Sequence, residues 1–120
     1  MDHRHVIDDL RAPTRELRQA IPDAWSAFGD LHRSALRDGA IPARLKETVA
    51  LALAVAGGCD GCIAYHARGA ARAGATPEEV AEVLGVTLLM DGGPATIYGP
   101  RAWEAYQQFR EEVNPRAAPA

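Results

Sequence analysis

Four residues of the 120-residue chain stand at spacings that can do chemistry: Glu47, Cys59, Cys62 and His66. Cys59-Asp60-Gly61-Cys62 is a Cys-x-x-Cys pair. At a helix start this spacing sets two sulfurs about one turn apart, close enough to join with little movement. The free N–H groups and the dipole of a first turn favour negative charge, so a thiolate is stabilised there. Only the thiolate is a useful nucleophile, and a paired cysteine can resolve a sulfenic acid to a disulfide before it over-oxidises. His66 follows Cys62 by four residues and shares its helix face. An imidazole there can take the thiol proton or deliver one to a leaving oxygen. Cysteine and histidine together make an activated nucleophile.

Glu47 must come from the preceding helix. Gly57-Gly58 is a helix stop, so the segments on either side run antiparallel. At ~1.5 Å per residue, Cys62 descends to the level of Leu53 and His66 to that of Val49. Glu47 then lies about half a turn lower, and side chains tilt towards their own N-termini, which opens a gap of a few ångströms. One bridging water would close it. On a helical wheel Glu47 sits over Leu51 and Ala54 with no polar residue on that stripe, so it is expected to face inward and orient His66.

These residues need helices, and the chain supplies them. Residues 22–37 open with Pro22-Asp23 and space Trp25, Phe28, Leu31, Ala35 and Leu36 at a period near 3.6. Pro42 opens a segment to Ala56 whose second half is apolar all round, which predicts a central buried helix. The next helix runs from about Cys59 to Ala73. Thr76-Pro77-Glu78-Glu79 is a capping box that opens a helix towards Met90. Asp91-Gly92-Gly93-Pro94 breaks the chain before a last amphipathic helix with Ile97, Tyr98, Trp103, Tyr106 and Phe109, which Pro100 can kink. Residues 4–20 add a short helix. The prediction is one all-α domain over residues 1–120, a compact bundle of five or six helices with a frayed tail at 115–120.

Composition narrows the function classes. Lys plus Arg number 13 against 16 Asp plus Glu, a net charge of −3, which argues against a nucleic-acid surface. A hydrophobic fraction of 48% excludes a disordered chain. Alanine makes up about a fifth of the residues, well above ordinary usage, so the core should be thin and helix-packed and should gain burial from sister subunits. No segment approaches the ~18 apolar residues of a membrane span. Met1-Asp2-His3-Arg4-His5 lacks the apolar run of a signal peptide, so a cytoplasmic location is expected.

Glu47, eleven residues, Cys59-x-x-Cys62, three residues, His66: this pattern resembles the signature of the alkylhydroperoxidase D-like group in the carboxymuconolactone decarboxylase superfamily. The likeness continues through Gly92-Gly93-Pro94-Ala95 and covers roughly residues 20–112. It implies an all-helical homo-oligomer, a trimer or hexamer, with dithiol peroxidase or disulfide-reductase chemistry. By resemblance Cys62 is the peroxide-reactive thiol, Cys59 its resolving partner, and His66 with Glu47 the proton relay. Well-known members place a second histidine just before the second cysteine, where this chain has Gly61. No cofactor and no metal are expected, and the resemblance implies a dithiol reductant, either a lipoyl-bearing adaptor or a thioredoxin-like protein. The chain carries no dinucleotide fingerprint, because its glycines at 57, 58 and 61 follow a helix rather than a strand.

Other readings stay open. Two cysteines, a histidine and a carboxylate could hold zinc, although structural zinc sites usually offer four Cys or His ligands. A protein disulfide reductase, a redox sensor, a metal-binding oligomer without turnover, and an enzyme of small carbon substrates with incidental cysteines complete the set. Asp60 reads as an N-terminal helix carboxylate that opposes thiolate formation, and Tyr65 as packing. Trp103, Tyr106 and Phe109 read as core or subunit interface, while His3, His5 and His32 form no usable pattern.

Overall fold

A computed structural model describes residues 1–117. Six helices follow one another: α1 (His3–Ala20), α2 (Pro22–Leu36), α3 (Ala43–Gly57), α4 (Asp60–Arg72), α5 (Pro77–Asp91) and α6 (Ala95–Val113). There is no strand among the described residues, and none of these helices is long and apolar enough to cross a membrane. Pro115–Ala117 forms a 3-10 turn. The tail expected to fray thus begins as an ordered turn, and residues 118–120 lie outside the described residues.

Small side chains explain the packing. α4 buries Ile63, Ala64, Ala67, Ala70 and Ala71, and α6 buries Ala95, Gly99, Ala102 and Ala105 together with Tyr106 and Phe109. Alanine and glycine faces let helix axes approach closely, so α4 becomes the hub. It packs chiefly on α6 and α3, and α1, which buries Ile7, also rests against it. α5 closes the far side against α3 and α6. The Tyr106 hydroxyl donates to the Ala75 carbonyl and pins α6 to the α4–α5 connection.

Local signals account for most boundaries. Thr76 accepts from the Glu79 N–H while Glu79 accepts from the Thr76 N–H, the reciprocal capping box expected for α5. Pro42 is the N-cap of α3 rather than its first residue. α6 runs unbroken through Pro100. The proline stands in the second turn, where it removes one N–H bond, to the Thr96 carbonyl.

Two elements differ from expectation. α3 is not buried all round, since Val49 and Leu53 are exposed, Leu53 by 69%. α2 buries none of its residues, and Phe28 and Leu31 lie open. A single chain has too few helices to cover both apolar faces. Between α3 and α5 they leave a groove of about 370 Å³ lined by Val49, Leu53, Val86 and Met90.

Candidate redox site at the start of α4

The α3–α4 turn sets up the site. Gly58 ends α3 at φ +63°, a left-handed conformation that costs glycine little. The Cys59 N–H then reaches back to the Ala54 carbonyl at 3.2 Å, and the Gly58 N–H to Val55 at 3.1 Å. These two bonds reverse the chain and deliver Cys59 as the N-cap of α4. The Tyr98 ring of α6 lies 3.4 Å from where a Cβ on Gly58 would stand, so the turn is also packed from outside.

Cys59 caps with sulfur where serine or aspartate would use oxygen. Its Sγ accepts the Cys62 N–H at 3.1 Å. Cys59 and Cys62 are joined as a disulfide, with Cα atoms 5.2 Å apart. Cys62 is exposed and Cys59 half-buried. Asp60, in the first turn, is held by Arg101 of α6 with Nη1 at 3.2 Å from both carboxylate oxygens. Its negative charge is therefore paired and opposes a neighbouring thiolate less than the sequence suggested.

His66 and Glu47 meet directly. His66 Nδ1 donates to Glu47 Oε2 at 2.8 Å, with the side chains only 22% and 14% exposed. An ionised carboxylate can only accept, so the bond places the proton on Nδ1 and leaves Nε2 as the basic nitrogen. The expected bridging water is not needed. The reason is Gly69, one turn beyond His66: a Cβ there would stand 2.5 Å from Glu47 Cδ and Oε2. The carboxylate lies in the hollow that the missing side chain leaves, and so reaches the imidazole across the helix interface. Nothing in the sequence pattern singled out Gly69.

The remaining candidates sort cleanly. Gly61 faces Leu10 of α1, 3.5 Å from its would-be Cβ. Tyr65 packs against the core under the Arg68 guanidinium, 5.2 Å from the ring centroid. Burial first, then the neighbouring Arg72, holds Arg68 below the ordinary arginine range. Tyr106 and Phe109 are core, and Trp103 is partly buried beside them. His3 is buried, with Nε2 3.0 Å from Glu104 on the opposite side of the chain's sequence. His32 of α2 stacks on His66. No group of three or more His, Cys, Asp or Glu side chains converges to hold a metal ion among the described residues.

Comparison with known proteins agrees with this architecture. The sequence profile of the carboxymuconolactone decarboxylase family matches residues 20–108. An uncharacterised protein of Cupriavidus necator is 46% identical over 101 residues, covering 84% of this chain and 89% of its own. "Uncharacterized protein 4 in cox locus" of Paracoccus denitrificans is 37% identical over 76 residues, 63% of this chain and 68% of that one. Among solved structures, apo-lpg0406 of Legionella pneumophila, a carboxymuconolactone decarboxylase family protein, superposes with a TM-score of 0.87 at 36% identity. That match covers 90% of this chain and 96% of the Legionella chain. With six helices, the reversing Gly58 turn and the Cys-x-x-Cys pair at the head of α4, the chain belongs to the carboxymuconolactone decarboxylase family, with the features of an alkylhydroperoxidase D-like member.

Proposed function

We propose that this protein is a cytoplasmic thiol-dependent peroxidase that reduces hydroperoxides through Cys59 and Cys62. One observation carries the reading. An exposed Cys62 shares a helix face with His66, whose other nitrogen is tied to Glu47 at 2.8 Å. A nucleophile, a base and an orienting carboxylate at such spacing serve proton-coupled attack.

The chemistry balances as follows. His66 Nε2 takes the Cys62 thiol proton, and the thiolate attacks the distal peroxide oxygen. An S–O bond forms, the O–O bond breaks, and the departing alkoxide takes the proton back from His66 to leave as the alcohol. Cys62 is now a sulfenic acid. Cys59 attacks Cys62 Sγ, so the S–S bond forms, the S–O bond breaks, and hydroxide leaves as water with the Cys59 proton. An external dithiol, from a lipoyl-bearing adaptor or a thioredoxin-like protein, then attacks Cys62 Sγ. Cys59 is the leaving thiolate, stabilised by the Cys62 N–H that its sulfur accepts, and the second thiol of the dithiol then closes the reductant's own disulfide and releases the Cys62 thiolate.

The same exposure of Cys62 suits a protein disulfide as the oxidant, which makes a disulfide reductase the second reading. The working unit is a homotrimer or homohexamer. The open faces of α2, α3 and α5, with Phe28, Leu53, Leu89 and Met90 all more than 60% exposed, supply the contact surface.

A single-turnover thiol count tests the reading. The protein is reduced, freed of reductant without oxygen and with chelator present, and given one equivalent of cumene hydroperoxide. Loss of both thiols in step with the peroxide, absent in Cys62→Ser, is expected. Loss at the rate of an ordinary exposed thiol would overturn the peroxidase and turn attention to disulfide exchange.

A further inference from the structure

His32 comes from outside the α3–α4 pair and yet stands against its reactive histidine. It lies in the last turns of α2, and its ring stacks on that of His66 with centroids 5.9 Å apart and planes 20° from parallel. α2 contributes nothing to the buried core, so this contact is not a by-product of core packing. The separation falls within the range in which aromatic rings attract one another in offset arrangements.

The stack supplies what the carboxylate cannot. A single hydrogen bond from Nδ1 to Glu47 holds one edge of the His66 ring but leaves it free to rock about Cβ–Cγ with the carboxylate following, because χ2 of histidine is a broad torsion. A second ring over its face, 20° from parallel, restricts that rocking. Edge and face together define where Nε2 points. Proton transfer to or from a sulfur depends steeply on that direction.

We propose that His32 is a positioning residue of the redox site: stacked on His66, it fixes the plane of the imidazole whose Nδ1 is held by Glu47. Its effect on rate rests on the peroxidase reading, whereas its effect on the ring does not. The redox centre therefore draws on three helices.

The test uses the full-length reduced protein as wild type, His32→Ala and His32→Phe, with two measurements. The first is NMR of the histidine side chains in ¹⁵N-labelled protein. Wild type should show His66 in one tautomer with ring protons shifted by a neighbouring ring current. His32→Ala should lose that shift and His32→Phe should keep one. The second is single-turnover thiol loss to cumene hydroperoxide. His32→Ala should slow it by about 3- to 10-fold, the worth of one aromatic pair, and His32→Phe should restore most of the rate. Unaltered ring signals in His32→Ala would overturn the proposal. So would a His32→Phe protein that keeps the ring shift yet is as slow as His32→Ala, since His32 would then act through its nitrogens. Should wild type itself fail to spend its thiols on peroxide, the peroxidase reading falls, and the ring signals alone decide whether His32 holds His66.

Discussion

The carboxylate of Glu47 occupies the space that a β-carbon on Gly69 would fill, 2.5 Å from its Cδ and Oε2. A glycine inside a helix costs roughly 1 kcal/mol relative to alanine. Here that cost coincides with a close approach of α3 to α4 that lets Glu47 reach His66. Gly69→Ala should therefore do two opposite things. It adds helix propensity, and it drives Glu47 away from His66 Nδ1. We expect single-turnover thiol oxidation to fall about 10-fold or more, with folding retained. In a Glu47→Ala background the same substitution should cost no further rate, because the group it displaces is already gone. A rate loss that adds fully in the double variant would show that Gly69 acts elsewhere.

Cys59→Ser should separate attack from resolution. The serine hydroxyl can still cap α4, so the fold is kept. Cys62 should consume one equivalent of hydroperoxide and stop as a sulfenic acid, trapped by dimedone and seen by mass spectrometry. Cys62→Ser should give no trapped species. Adduct on Cys59 in the second variant would exchange the roles proposed for the two sulfurs.

Much of this was legible in the sequence, and the rest was hidden for physical reasons. Caps and periodicity mark elements because they act within one turn, so Thr76 to Glu79 and the Gly58 stop are readable directly. The inward face of Glu47 was likewise readable, from the apolar stripe of Leu51 and Ala54. Its direct bond to His66 was not, because an interhelical gap depends on the partner surface, and Gly69 reads in sequence only as a weak helix former. His32 was invisible for a related reason: a lone histidine on α2 gains meaning only when the fold brings its ring against His66 of α4. The open face of α3 shows the limit of periodicity. Hydrophobicity marks Leu53 for contact but does not say whether that contact lies within the chain.

Leu53 gives the prediction on assembly. It is 69% exposed on α3 and borders the apolar groove facing α5. Leu53→Glu places a charge there at little cost to an isolated chain but at high cost to any subunit contact that buries it. Light scattering should show wild type as a trimer or hexamer and the variant as smaller species, with far-ultraviolet dichroism unchanged. Equal masses would remove the α3–α5 groove from the interface.

Tyr106 gives the prediction on stability. Its ring is fully buried, and its hydroxyl donates to the Ala75 carbonyl. Burial raises its ionisation above the ordinary tyrosine range, so it is a donor at neutral pH. Tyr106→Phe keeps the packing and leaves that carbonyl unpaired, at a cost of about 1–2 kcal/mol. Denaturant titration should show a lower midpoint with an unchanged slope. An unaltered midpoint would mean that water reaches the Ala75 carbonyl instead.

Acid stability should follow the capping box. The Thr76 N–H chiefly, with the Arg44 guanidinium 3.1 Å away, holds the Glu79 carboxyl below its ordinary value of 4.5. A carboxyl whose ionisation is lowered by folding stabilises the native state fully above its unfolded value. That contribution is lost as pH falls through the lower folded value. Glu104, lowered chiefly by its hydrogen bond from His3, has the same sign. Glu79→Gln keeps an oxygen for the Thr76 N–H but removes the titration. The variant should melt below wild type at neutral pH, and the two melting curves should converge as the pH falls through the lowered folded value of the Glu79 carboxyl. A gap that stays constant across that range would place the acid sensitivity of the fold in groups other than Glu79.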